Sequence, residues 1–172
     1  MSGSPFPDVR WGSENSRLRK PATVFASTKP GSWLIRTLTP LDRRILTRTR
    51  GRYTVLGPIG APTLLLRTIG AKSGQPRTTP LLYARQDEQL LVIGSNFGQA
   101  RHPAWSANLL AHPGAVVTMG GKDIAVTARL LSAQERQGAI DSFIALSGVY
   151  AAYLQRTDRA IRVFALTADQ AA

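Results

Sequence analysis

The chain has 172 residues, 43% of them apolar, and no cysteine. That is one domain's worth of chain with enough material for a core, and it excludes disulfides, thiolate metal sites and thiol catalysis. The formal net charge is +12, and +8 of it falls before position 61, where eleven basic residues face three acidic ones; this asymmetry points to a polyanionic partner.

In chain order, residues 1–31 are rich in Pro, Gly, Ser and Lys/Arg, with little periodicity. They read as a basic arm, partly without structure of its own, ahead of a folded domain over 32–172. The arm has no apolar segment of a secretory signal, and no run of ~18 apolar residues occurs anywhere, so the expected location is the cytoplasm. At 33–48, Leu34, Leu38, Leu41 and Ile45 fall on one helical face, with Arg36, Arg43, Arg44 and Arg48 largely elsewhere. The spacing predicts a basic amphipathic helix. It either covers the core or also touches an anionic partner, a membrane at its inner face or the acidic tail of a cofactor.

Short apolar runs follow at 53–56, 62–68, 78–85 and 90–95, separated by turn residues, and predict antiparallel strands. Residues 102–113 predict a helix opened by Pro103 and stopped by Pro113. A hairpin is expected over 115–119 and 122–131 around Gly120-Gly121. "SAQE" at 132–135 is a capping box opening a further helix. A second short helical segment carries Tyr150 and Tyr153, and 161–166 reads as the closing strand. So many short consecutive strands must close or pack on themselves, giving an α+β fold: a small antiparallel barrel with helices around it.

Two stretches carry chemistry. "GAKSGQPRTTPL" places Lys72, Ser73, Gly74, Gln75, Arg77, Thr78 and Thr79 between apolar runs, either as a solvated hairpin turn or as a phosphate cradle of backbone N–H groups, cations and hydroxyls. It is not a Walker loop, because no Gly lies where that motif needs one. "GSNFG" at 94–98 follows an apolar strand and precedes a helix, where backbone donors meet ligands. His102 and His112 match no metal-ligand spacing.

Taken together and in this order, "TIGAKSGQPRTTPL", "VIGSNFGQARHPAWSANLLAHP" and "YAAYLQRTDR" resemble the deazaflavin-dependent nitroreductase and quinone reductase family, over roughly residues 33–166. The resemblance implies a split β-barrel of about six strands with flanking helices. It also implies binding of reduced 8-hydroxy-5-deazaflavin (coenzyme F-420), whose hydride passes to quinones, nitroaromatics or activated enones. Lys72, Ser73, Gly74, Gln75 and Arg77 become the phosphate loop, while Thr78, Thr79, Pro80 and Leu81 continue along the cofactor. Ser95, Asn96, Phe97 and Gly98 line the ring, and Trp105, Asn108 and Leu109 follow on the helix, Trp105 equally suiting the core. Tyr150 and Tyr153 are the expected proton donors, or else an aromatic pair covering the barrel mouth. Where some members carry a third tyrosine, this chain has Ser147, which leaves the acceptor open.

Rival readings are an FMN-dependent oxidoreductase on the same barrel, a non-enzymatic deazaflavin carrier and a nucleic-acid-binding module. The last has charge in its favour but no groove-binding motif. A monomer and a homodimer are equally compatible with the sequence.

Overall fold

The computed structural model describes residues 4–7, 28, 44–45, 48–49 and 62–169. Six strands, β1 (Thr63–Ile69), β2 (Pro76–Gln86), β3 (Gln89–Ile93), β4 (Gly114–Met119), β5 (Lys122–Leu130) and β6 (Val163–Ala168), form a closed barrel in the order β1-β2-β3-β6-β5-β4. Every neighbouring pair is antiparallel. Closure removes the unpaired edges that an open sheet of this size would expose.

Alternation along the strands sets the core. Leu64, Leu66, Leu90, Val92, Val117, Met119, Val126, Phe164 and Leu166 form one buried cluster inside the barrel. The opposite face of β2, β3 and β6 carries a second cluster, with Ala84, Leu91, Ile93, Val163 and Ala165 under two helices. These are α2 (Ala133–Leu146) and α3 (Val149–Leu154), preceded by α1 (Ala104–Ala111) between β3 and β4. The expected capping box opens α2, with Ser132 Oγ accepting from Glu135 N and the Glu135 carboxylate accepting from Ser132 N.

The registers place the ends of the strands. Thr68 faces Arg77, Ile93 faces Val163, and Leu130 faces Phe164. The Gly70–Gln75 loop and the 94–103 segment therefore leave the barrel at the same end. α1 closes that end, with Trp105 and Leu109 inserted into the interior cluster. The opposite end receives a residue from the arm: Phe6, 2% exposed, joins the same cluster. Arg85 holds it there, donating to the carbonyls of Phe6 and Pro7 and to Ser4 Oγ.

Several boundaries differ from the sequence expectation. β2 begins at Pro76 instead of Thr78, because Pro76 and Arg77 still pair with Ile69 and Thr68. β3 stops at Ile93, leaving Gly94 and Ser95 in the turn, and the last strand runs Val163–Ala168 in place of 161–166. The expected strand at 53–56 lies outside the described residues. Of the 33–48 helix only Arg44, Ile45 and Arg48 are described, all three helical. Among the described residues, no helix is long and apolar enough to cross a membrane, and no group of His, Asp or Glu is arranged to hold a metal ion.

Candidate active site

The Gly70–Gln75 loop is a tight hairpin connection. Gly70 N donates to Gln75 O at 2.9 Å and Gly74 N to Gly70 O at 2.8 Å. Gly74 sits at φ 63, in the left-handed region where a Cβ is penalised, which is the physical reason for a glycine after Lys72-Ser73. Lys72, Ser73, Gln75 and Arg77 are exposed. Among the described residues neither Lys72 nor Arg77 is in an ion pair, whereas Arg67 and Arg129 are each matched to a carboxylate.

Beyond Pro76 the chain is a strand, so its side chains alternate. Arg77, Thr79 and Leu81 stand opposite Thr68, Leu66 and Leu64, on the face that turns into the barrel; Thr78 and Pro80 take the other face. A ligand running along β2 therefore meets alternate members of the 77–81 stretch, not all five.

Asn108 and Leu109 are buried in α1, as is Trp105, whose ring lies against Phe164 at a centroid distance of 5.8 Å. Trp105 and Leu109 fix the helix in the barrel mouth. Asn108 does more: its Oδ1 accepts from Ala71 N at 3.0 Å and its Nδ2 donates to Thr68 Oγ1 at 3.0 Å. The phosphate-loop candidate is thereby tied to α1.

The 95–98 segment is strained. Ser95 is right-handed helical at φ −64, and it is followed by Asn96 at φ 46, Phe97 at φ 56 and Gly98 at φ 73. Successive right- and left-handed residues turn their N–H groups into one concavity, an arrangement suited to anionic or carbonyl oxygens. Left-handed conformations at non-glycine residues cost about 1–3 kcal/mol each and persist only where neighbours enforce them. Here Asn96 Nδ2 donates to Arg101 O at 2.8 Å. Gly98 is enforced sterically, since a Cβ there would lie 2.7 Å from both Tyr153 O and Arg156 Cβ.

Arg159, which carries no role in the sequence reading, makes the largest set of bonds to this segment. Its Nη2 donates to Gly94 O at 2.9 Å and to Ser95 O at 2.8 Å, its Nε donates to Gln99 O at 2.9 Å, and its Nη1 lies 3.1 Å from His102 Nδ1. A guanidinium only donates, so His102 Nδ1 is the acceptor and the ring is neutral. Burial, with Arg162 and Arg159 nearby, holds the His102 pKa below its ordinary value. The signal was present in "YAAYLQRTDR", where the final Arg is part of the motif.

Tyr150 and Tyr153 both lie on α3, buried in the second cluster. Their rings meet edge to face at 6.2 Å; Tyr150 also packs on Phe143 at 5.2 Å, and Tyr153 on Phe97 at 5.7 Å. Arg156 stacks over the Tyr153 ring. The pair therefore reaches the 95–98 segment through Phe97. Burial, then the neighbouring Tyr153, pushes the Tyr150 hydroxyl pKa upward, so it stays protonated.

One end of the barrel thus assembles two free cations, a loop of backbone donors, a left-handed turn and an aromatic pair. Residues 36–168 match the F-420H(2)-dependent quinone reductase family model. The chain belongs to that family. It is 37% identical over 130 residues to an F-420H(2)-dependent quinone reductase of Mycobacterium tuberculosis, covering 74% of this chain and 87% of the relative. The barrel also resembles a solved F-420-H(2) dependent reductase, with a TM-score of 0.56 and 35% identity over 61% of this chain and 93% of that one. A second solved chain, described as a domain-swapped dimer, gives a TM-score of 0.57 and 33% identity, covering 80% of this chain and 99% of that one.

Proposed function

We propose that this member of the F-420H(2)-dependent quinone reductase family is itself a quinone reductase, moving a hydride from reduced 8-hydroxy-5-deazaflavin to a quinone. The observation that carries the proposal is the convergence of Lys72, Arg77 and the 70–75 hairpin with the left-handed Ser95–Gly98 turn at one end of the barrel. The donor set fits the group. A ribityl phosphate calls for cations without a carboxylate partner, and among the described residues Lys72 and Arg77 are such cations. Ring carbonyl oxygens call for backbone N–H donors, and the Ser95–Asn96 turn presents them.

When bound, the reduced deazaflavin supplies a two-electron hydride, because carbon replaces the flavin N5. The protein binds, orients and protonates. The 70–75 loop and Arg77 would hold the phosphate. The Ser95–Gly98 turn would hold the ring, with Phe97 and α3 beside it to exclude water. Hydride addition leaves negative charge on a quinone oxygen, and a tyrosine hydroxyl of α3 donates the proton that completes the quinol, solvent restoring it afterwards. Tyr150 and Tyr153 are the two candidates.

A homodimer is the finer reading of assembly, supported by the domain-swapped neighbour. Peripheral membrane contact rests on the basic pattern over 33–48 alone.

Stopped-flow oxidation of the reduced deazaflavin, with the chain present, across quinone, nitroaromatic and enone acceptors tests the function. Enzyme-dependent oxidation fastest with a quinone is expected. Turnover with reduced FMN but not with reduced deazaflavin would overturn the cofactor, and binding without turnover on any acceptor would make the chain a carrier.

A further inference from the structure

We propose that Arg159 is a positioning residue for hydride transfer, acting through the backbone of the Gly94–Gln99 turn. It takes four acceptors at once, three of them main-chain carbonyls of that turn: Gly94 O, Ser95 O and Gln99 O, at 2.8–2.9 Å. The fourth is His102 Nδ1 at 3.1 Å. In a trans peptide the C=O and the following N–H point in opposite directions. Pulling the Gly94 and Ser95 carbonyls onto one guanidinium therefore turns the N–H groups of Ser95 and Asn96 away from Arg159, toward the other side of the turn.

The back of the turn is closed by the same stretch of chain, where Gly94 N donates to Arg162 O at 2.8 Å. The fork of the guanidinium reaches two adjacent carbonyls through one nitrogen and a third through Nε, whereas an ammonium is a point donor. A run of two non-glycine residues at positive φ, Asn96 and Phe97, needs this kind of external hold. Arg159 is only partly exposed, burial and then the charge of Arg162 lower its pKa from the ordinary value, and among the described residues no carboxylate pairs with it. Its charge is spent on carbonyl dipoles. His102 contributes as a neutral acceptor that holds the fork in plane.

This assignment rests on the deazaflavin reading, in which the Ser95 and Asn96 amides face the ring. Its consequence is specific: loosening the fork tilts the ring against the acceptor while the phosphate loop, on a different strand connection, keeps the cofactor bound.

The test is Arg159→Lys in the full chain, with wild type alongside. Expected are a folded chain with a lowered melting temperature and, for the folded protein, a deazaflavin dissociation constant within about threefold. The quinone KM stays unchanged, kcat per bound cofactor falls about tenfold or more, and the absorbance of the bound oxidised deazaflavin shifts. A merely structural arginine would lower stability and occupancy without moving kcat per bound cofactor or the spectrum. If Arg159→Lys does not fold, His102→Ala removes one acceptor of the fork and is expected to shift the spectrum in the same way with a smaller loss of kcat. Wild-type kcat and spectrum in whichever variant folds would overturn the clamp alone. A wild-type chain that leaves the deazaflavin spectrum untouched overturns the cofactor reading and the clamp with it.

Discussion

Asn108 Oδ1 accepts a hydrogen bond from Ala71 N at 3.0 Å, joining a helix in the barrel mouth to a loop 37 residues earlier. The other end of the same amide donates to Thr68 Oγ1. Asn108 is 7% exposed, so water does not replace either bond. Asn108→Ala leaves the Ala71 N–H without its partner and deprives the Thr68 hydroxyl of a donor, at a cost of about 1–3 kcal/mol. It also frees the phosphate-loop candidate from α1. The expected outcome is a lower urea midpoint together with weaker deazaflavin binding, read by denaturation and by titration of the folded variant. Undiminished affinity would show that the loop holds its shape unaided.

Lys72 and Arg77 stand at the two sides of the same loop, and among the described residues neither has a carboxylate to satisfy it. A charge-assisted hydrogen bond to phosphate is worth roughly 1.5–3 kcal/mol, so Lys72→Ala and Arg77→Ala are each expected to weaken cofactor binding by about tenfold or more. The loss should be larger at low salt, where an exposed charge is least screened. Because both side chains are exposed, stability should hardly change. Calorimetric titration at two ionic strengths checks the pair; unchanged dissociation constants in both would make the loop a solvated turn.

The strands and the capped helix were legible because alternation and the "SAQE" pattern report local preferences that packing reinforces. The two motif loops were legible as pieces, but their meeting at one barrel end depends on strand register, which is set by long-range pairing. The polar run that carries Arg77 reads as a loop up to Thr78, yet pairing with Thr68 keeps Arg77 in β2. Phe6 was invisible: a single aromatic between two prolines has no period, and only the structure shows it filling the barrel beside Arg85. Arg159 was passed over for a related reason. Its partners are main-chain carbonyls about 60 residues away, and carbonyls leave no mark on a sequence.

Gly98 is held at φ 73 with no room for a methyl group, since a Cβ would sit 2.7 Å from Tyr153 O. Gly98→Ala combines left-handed strain with overpacking against α3, about 2–4 kcal/mol together. Thermal denaturation should show the loss, and the turn should retain less activity per folded molecule. A melting temperature equal to wild type would mean that α3 can withdraw from the turn.

His102 predicts a pH dependence of stability. Its folded pKa lies below the ordinary value of 6.5, through burial and then the charges of Arg162 and Arg159. Between those two values the unfolded chain binds more protons than the folded one, so stability rises with pH in that window and is lost as pH falls through it. Glu135, whose pKa is held at about 2 by Arg129 and the helix cap, stabilises the fold fully above its unfolded value of about 4.5 and loses that contribution only below it, which leaves the window clear. Urea unfolding of wild type and His102→Gln at pH 8 and pH 5.5 should show a smaller drop in the variant. Equal drops would remove His102 as the cause.

The tyrosine pair separates proton donation from packing. Tyr153 touches Phe97, Tyr150 and Arg156 with its ring, and those contacts survive in Phe. Both tyrosines are buried, and burial keeps the Tyr150 hydroxyl protonated, so it is able to hydrogen-bond a developing oxyanion. If a tyrosine protonates the developing quinol oxygen, its Phe variant keeps cofactor affinity and loses turnover. Positioned proton transfer supplies about 10²-fold or more, whereas a ring that keeps its shape costs little. At least one of Tyr150→Phe and Tyr153→Phe should therefore lose about tenfold or more in kcat, with Tyr150→Phe the larger loss. Steady-state kinetics on one quinone, at saturating reduced deazaflavin, decide it. Wild-type turnover in both variants would leave the pair as aromatic packing between α3, α2 and the Ser95–Gly98 turn, with the proton drawn from solvent.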